Sequence, residues 1–301
     1  MKMKKKMMGL SAVLGGAVML SACGGEDREV TVGAKNFTEQ FILAKMAEIM
    51  LEDNDFEVDM VDNMGSTALR QALESGEVEV TWEYTGTGLI TYNDEEPIAD
   101  GDEAFEAISE IDAEQGITWT NMSDIDNTYT LMMTQEDGEE FGIESISDLA
   151  EHVNDNPEEM TFATDAEFGN RDDGLPGVEE LYGFEFGSGQ VSEMTYGLNY
   201  EALADGEVDS AMGHATDSRI EEYDLFNLED DQQFFPSYHA AVSMSTEVYE
   251  EYPEIEDILE PLSQELTTET MMELNYQVDI EDESVDEVAR TYLEENGFLD
   301  E

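Results

Sequence analysis

The sequence predicts an α/β fold made of two similar lobes, each a doubly wound, mostly parallel mixed sheet flanked by helices. Three observations predict it. Short β-branched runs alternate with helical patterns from residue 29 onward, and the second half repeats the order of the first. No linker or low-complexity stretch divides the halves, so the lobes share crossing strands and are not separate beads on a string.

The chain opens with an address. Residues 1–22 carry a lysine-rich n-region, an apolar h-region and small residues before a cleavage point, the pattern of a secretory signal peptide. The apolar part is too short and glycine-broken for a membrane span, which wants roughly 20 apolar residues. "LSAC" (Leu20 to Cys23) matches a bacterial lipoprotein signal, with Cys23 lipidated at the mature N-terminus. The alternative is an ordinary signal peptide with a chance cysteine. Cys23 is the chain's single cysteine, so no intramolecular disulfide forms and the anchor explains its position better. Lysines without a twin arginine point to general secretion. Residues 23–28 then serve as a tether.

From there the elements follow in order. "EVTVG" (29–33) predicts a strand and "TEQFILAKMAEIMLED" (38–53) a helix with apolar residues at helical spacing. "FEVDMV" is a strand, "STALRQALES" a helix capped by Ser66, and "VEVTW" a third strand. Such a βαβαβ start predicts parallel pairing. "YTLMMT" (129–134) and "MTFATD" (160–165) are strands with the capped helix "SISDLAEHV" between them. "VEELYG" and "NYEALADG" are helical, "EVDSAM" is a strand, and the chain from "STEVYEEYPEIEDILEPL" onward is almost wholly helical. The expected division is lobe 1 over 29–128, completed by 239–301, and lobe 2 over 129–238.

An internal repeat supports two matching lobes. "ALESGEVEVTWEYTGT" (72–87) aligns without a gap on "ALADGEVDSAMGHATD" (202–217). Each is a helix end, a turn at Gly76 or Gly206, and a strand beginning Glu-Val. Tyr84 and His214 then fall at corresponding carboxyl ends of strands, where open α/β sheets bind ligands. Lys35 after "VTVG" and Arg171 after "MTFATD" form a second matched pair, each on a loop leading to a helix.

Charge sets the next bound. The chain has 76 Asp+Glu against 11 Lys+Arg, and four lysines lie in the first six residues. The mature part of 279 residues therefore has seven bases against 76 acids, a net charge of −69. Acids spread evenly from Glu26 to Glu301, which suits a protein bathed in strong brine, where the Debye length is about 3 Å at 1 M salt. A binding partner of opposite sign is the other reading. Nucleic acid is excluded on electrostatic grounds.

Enzyme classes find no support. There is no nucleophilic cysteine beyond the anchor, no GxSxG and no phosphate loop, and the three histidines, His152, His214 and His239, lack metal-ligand spacing. No catalytic residue, metal site or cofactor is expected. Rings and bases carry more. Tyr84, Tyr129, His214 and Tyr238 each sit at a strand end or in a loop near one; singly, each could equally be a core or rim aromatic. Together in a cleft they would attract a quaternary ammonium, each contact giving about 0.5–2 kcal/mol. Lys35 and Arg171 could hold a carboxylate.

Six segments in order, "GAKNFTEQ", "WEYTGTG", "NTYTL", "RDDGLPGVEELYGF", "TDSRIEEYDL" and "FFPSYHAA", resemble the substrate-binding proteins of ABC importers for glycine betaine, carnitine and choline. The resemblance runs from about residue 29 to the C-terminus. It implies a two-lobed type II periplasmic-binding-protein fold that closes on its ligand. It further implies an aromatic cage of Tyr84, Tyr129, His214 and Tyr238 around a trimethylammonium, with Asn127 beside it where a relative carries an acid. The betaine carboxylate would be held at positions matching Lys35, Thr87 and Arg171. Thr87 suits a carboxylate better than an aspartate would, so glycine betaine is expected ahead of carnitine or choline. The implied partners are an ABC permease with its ATPase, and the membrane through the lipid anchor only; the default state is a monomer at the extracytoplasmic membrane face. Receptors for another zwitterion or amino acid such as proline or ectoine, or a surface protein or hydrolase reusing the fold, are the alternatives.

One position departs from the resemblance. His214 stands where a tyrosine is usual, giving a smaller π-face that repels a cation once protonated. Binding is therefore expected to weaken as pH falls from 8 to 5.5.

Overall fold

The computed structural model describes residues 28–187 and 189–299. The predicted leader, Cys23 and all of the tether but Arg28 lie outside the described residues.

The first half runs β1 (Glu29–Lys35), α1 (Thr38–Asp53), β2 (Glu57–Met64), α2 (Ser66–Ser75), β3 (Val80–Tyr84), a π-helical turn (Thr87–Tyr92), α3 (Gly101–Ala113) and β4 (Ile117–Thr120). The middle runs β5 (Tyr129–Thr134), α4 (Gln135–Phe141), α5 (Ile146–Asp155), β6 (Phe162–Thr164), α6 (Leu175–Tyr182), β7 (Val191–Glu193), α7 (Leu198–Ala204), β8 (Ser210–His214), α8 (Arg219–Glu222) and β9 (Leu225–Asn227). The chain ends with β10 (Ala240–Ser245), α9 (Thr246–Glu251), α10 (Glu254–Glu265), α11 (Thr268–Asp279) and α12 (Val285–Glu295).

These elements build two five-stranded sheets with one shared plan. The orders are β2-β1-β3-β10-β4 and β7-β6-β8-β5-β9. In each, three strands pair in parallel, as the βαβ units demand, and a fourth inserts antiparallel: β10 beside β3, β5 beside β8. The antiparallel strands are the ones that arrive from the other half of the chain. Registers match as well, with Ala240 opposite Tyr84 and Tyr129 opposite His214.

The cores follow from the spacing of apolar residues. Ile42, Leu43, Met46, Ala47 and Met50 of α1 are all buried, because this helix lies between the first sheet and α10, α11 and α12. Each large aliphatic side chain so covered stabilises the fold by about 1.5–3 kcal/mol. That sandwich explains the long helical tail: it roofs the helix that roofs the sheet. α5 begins with the capping box that its sequence suggests, Ser145 bonding the Asp148 N–H and Asp148 bonding back.

Two local expectations are corrected. Ser66 does not cap α2; Gly65 takes the N-cap position without a side-chain bond, and Ser66 is the first helical residue. Its N–H and hydroxyl instead reach a carboxylate from the second half of the chain, described below. The strands of the repeat also start at Val80 and Ser210, later than Glu-Val. In both turns the N–H groups after the glycine close the preceding helix, Glu77 and Val78 on Ala72 O, Glu207 and Val208 on Ala202 O. Gly76 (φ 73°) and Gly206 (φ 68°) allow this left-handed turn.

Candidate ligand site between the two sheets

Parallel strands end, and the antiparallel strands begin, on the same side of each sheet, and the two such sides face each other. Lys35 closes β1, Tyr84 closes β3 and His214 closes β8, while Tyr129 opens β5 and Tyr238 stands two residues before β10. All eight residues expected at the site, Lys35, Tyr84, Thr87, Asn127, Tyr129, Arg171, His214 and Tyr238, line one narrow cavity. The sequence did not mark Asn36, Phe37, Ser66, Asp165, Glu167 and Tyr196 as site residues, yet they line it too.

Six rings line the wall. Tyr129 meets His214 at 4.7 Å between centroids and Tyr238 at 5.5 Å, both edge to face. Phe37 stacks towards Tyr84 at 6.3 Å and touches His214 at 5.6 Å; Tyr196 lies 5.2 Å from His214. Gly86 makes room for this packing, since a Cβ there would sit 2.6 Å from the Tyr238 ring.

The polar groups behind the rings are organised. Tyr84 donates its hydroxyl to Glu39 Oε1 at 2.6 Å, and Asn127 donates Nδ2 to the same oxygen at 2.7 Å. Tyr238 donates to Asp173 Oδ2 at 2.6 Å. Burial pushes the Tyr84 and Tyr238 hydroxyls well above the usual phenol range, reinforced by those carboxylates. Burial likewise raises Glu39 and Asp165.

Both predicted carboxylate-binding bases are already paired. Lys35 bonds Glu83 in a contact where both side chains are 4% exposed, and Glu83 also accepts from Tyr92 at 2.6 Å. Arg171 places Nε on Asp173 Oδ1 at 2.7 Å and Nη2 on Oδ2. Its Nη1 is left 3.8 Å from Glu167 Oε2. Glu167 in turn reaches across the cavity and accepts from the Ser66 N–H at 2.7 Å and hydroxyl at 3.1 Å. The start of α2 thus takes its cap from the turn that follows β6.

The pH expectation for His214 is corrected. Burial, with Arg171, Lys35 and Arg219 nearby, lowers its imidazole to about 3. The ring is neutral from pH 8 to 5.5 and does not repel a cation in that range. Sequence alone could not place three cations around it.

Comparison with known proteins supplies the family. Residues 28–295 match the family model described as the substrate-binding domain of ABC-type glycine betaine transport systems. The chain belongs to that family. It is 36% identical to a glycine-betaine-binding protein of Pseudomonas aeruginosa, over 97% of this chain and 95% of the relative. It is 32% identical to the carnitine transport binding protein OpuCC of Listeria monocytogenes, over 99% of both. Among solved structures, a crystal structure of a glycine betaine/carnitine/choline ABC transporter matches 90% of this chain and 100% of its own, at TM-score 0.71 and 31% identity. The fold is the two-lobed type II periplasmic-binding-protein fold, as expected. The chain is a substrate-binding component of an ABC osmoprotectant importer, not an enzyme, and acts outside the cytoplasm.

Proposed function

We propose that this receptor takes a quaternary-ammonium compatible solute, glycine betaine first and carnitine or choline after it, and hands it to its permease. The observation that supports this reading is one cavity that brings four expected rings and two expected bases together. The trimethylammonium sits against Tyr84, Tyr129, His214 and Tyr238, with Asn127 beside it. The carboxylate sits at Lys35, Thr87 and Arg171. Lys35 has three donors, of which Glu83 needs one; Arg171 keeps a guanidinium edge that Asp173 does not use.

The lobes divide at 128/129 and 238/239, so the ligand lies where the chain crosses. Cys23 carries the lipid that holds the monomer at the extracytoplasmic face, and the net charge of −69 suits a halophilic host that needs such solutes. Calorimetry in molar salt with glycine betaine, carnitine, choline, proline and ectoine tests the ligand class. Micromolar-range binding of a trimethylammonium compound is expected; heat with proline or ectoine alone would overturn the reading.

A further inference from the structure

Tyr84 and Tyr238 share a feature with a third ring. Each donates its hydroxyl to an almost fully buried carboxyl, Glu39 and Asp173, at 2.6 Å. Tyr196 does the same, to Asp217 Oδ2 at 2.7 Å, and Asp217 is also buried. A phenol donating to a carboxylate gains electron density on its ring, and its face then draws a cation more strongly. Tyr196 also lines the cavity, 5.2 Å from His214 at an interplanar angle of 34° and 5.8 Å from Phe37. The imidazole it lies against has a smaller face, and its Nδ1 has no hydrogen-bond partner among the described residues.

We propose that Tyr196 is a further tyrosyl wall of the ammonium cage, set in place by Asp217, and supplies the attraction that His214 lacks. This rests on the quaternary-ammonium reading.

The surroundings fix Tyr196 in that role. Asp217 accepts from the Arg219 N–H at 3.0 Å, and the Arg219 guanidinium, 5.7 Å from the Tyr196 ring centre, is held between Asp217 and Asp279 of α11. Asp279 also accepts from Thr38 at 2.6 Å, the neighbour of Phe37. A continuous chain from Tyr196 to Thr38 therefore ties the second sheet to the first beside the Phe37–Tyr196 contact. This wall is complete only when the two sides are together.

The test compares glycine betaine with its carbon isostere 3,3-dimethylbutanoate, which keeps the carboxylate and lacks the ammonium charge, on wild type, Tyr196→Leu, Tyr196→Phe and Tyr196→Leu/His214→Tyr. Thermal unfolding confirms that each variant is folded. Tyr196→Leu should weaken betaine by about 5–30-fold and the isostere by less than about 3-fold. Tyr196→Phe, which keeps the ring but loses Asp217, should fall between, and His214→Tyr should recover part of the loss. Equal weakening of both ligands, or unchanged betaine binding, would overturn the role of Tyr196. If Tyr196→Leu does not fold, the Tyr196→Phe ratio decides, with no fall in the betaine-to-isostere preference counting against the proposal. A wild type that binds no trimethylammonium compound removes the ligand reading and this proposal with it; a binding wild type with an unmoved ratio removes only this one.

Discussion

The two sheets have the same plan but different chemistry at the matched end of their third parallel strand. In the first, β3 ends on Tyr84, whose hydroxyl is held by Glu39 and Gln40. In the second, β8 ends on His214, whose backbone N–H bonds Tyr200 while its ring Nδ1 is unpartnered. The difference teaches that a repeated scaffold fixes where a ring stands, while the neighbours decide what it does. Glu39 gives Tyr84 a buried carboxyl; burial, with three cations nearby, keeps His214 neutral.

The comparison breaks most sharply at the bases. Lys35→Met should strand Glu83 in the interior of the first lobe and cost about 3–5 kcal/mol, read as a fall in urea midpoint. Lys35→Met/Glu83→Gln should regain most of that stability yet bind betaine at least tenfold more weakly and choline little changed, by analogy with a lost charge-assisted bond. Full betaine affinity in the double variant would remove Lys35 from the carboxylate site.

At the matched rings, Tyr84→Ala should weaken betaine and choline alike by roughly 30-fold, about 2 kcal/mol. His214→Ala should cost less than about fivefold. Equal losses in a titration would mean that the imidazole is as good a wall as the phenol.

The pH response separates the two ends further. Unfolded, His214 titrates near 6.5; folded, near 3. Between those values the unfolded chain takes up a proton that the folded chain does not, so stability falls as pH falls, by at most about 1.4 kcal/mol per unit. The difference between wild type and His214→Tyr in unfolding experiments isolates this slope. Betaine affinity should carry no His214 contribution from pH 8 to 5.5; a loss abolished by His214→Tyr would show that the ring does charge.

The smallest effect tests the symmetry itself. Gly76→Ala and Gly206→Ala each force alanine into the left-handed region with open space around the new methyl, costing about 1–2 kcal/mol apiece. Losses that differ by more than about 1 kcal/mol would mean that the turns are not equivalent.

Much of this was legible in the chain. β1 to β3 and their helices could be read because α1 and α2 have long apolar periodicity, and the repeat around Gly76 and Gly206 placed Tyr84 opposite His214 in role. β7 and β9, three residues each, are too short to carry a pattern, and α3 was overlooked. The eight expected site residues came from motifs. Phe37 was hidden as an ordinary apolar residue before a helix, and Tyr196 as one tyrosine among twelve. The pairings Lys35–Glu83 and Ser66–Glu167 join residues 48 and 101 positions apart, a relation that only folding creates.

The two crossings between the sheets are also bonded to each other. The Asn127 N–H bonds Tyr238 O at 3.1 Å, the Ala240 N–H bonds Ile125 O at 3.1 Å, and Asp126 pairs with His239. Two rails riveted side by side bend readily about one axis and resist twist. Asn127, Tyr129 and Tyr238 are mounted on or beside those rails, so the proposed seat of the ligand lies at the pivot. An opening about these rails would keep Asn127 and Tyr238 joined through their backbone bond and would break the contacts that link the two sides away from them, such as Glu167 with Ser66.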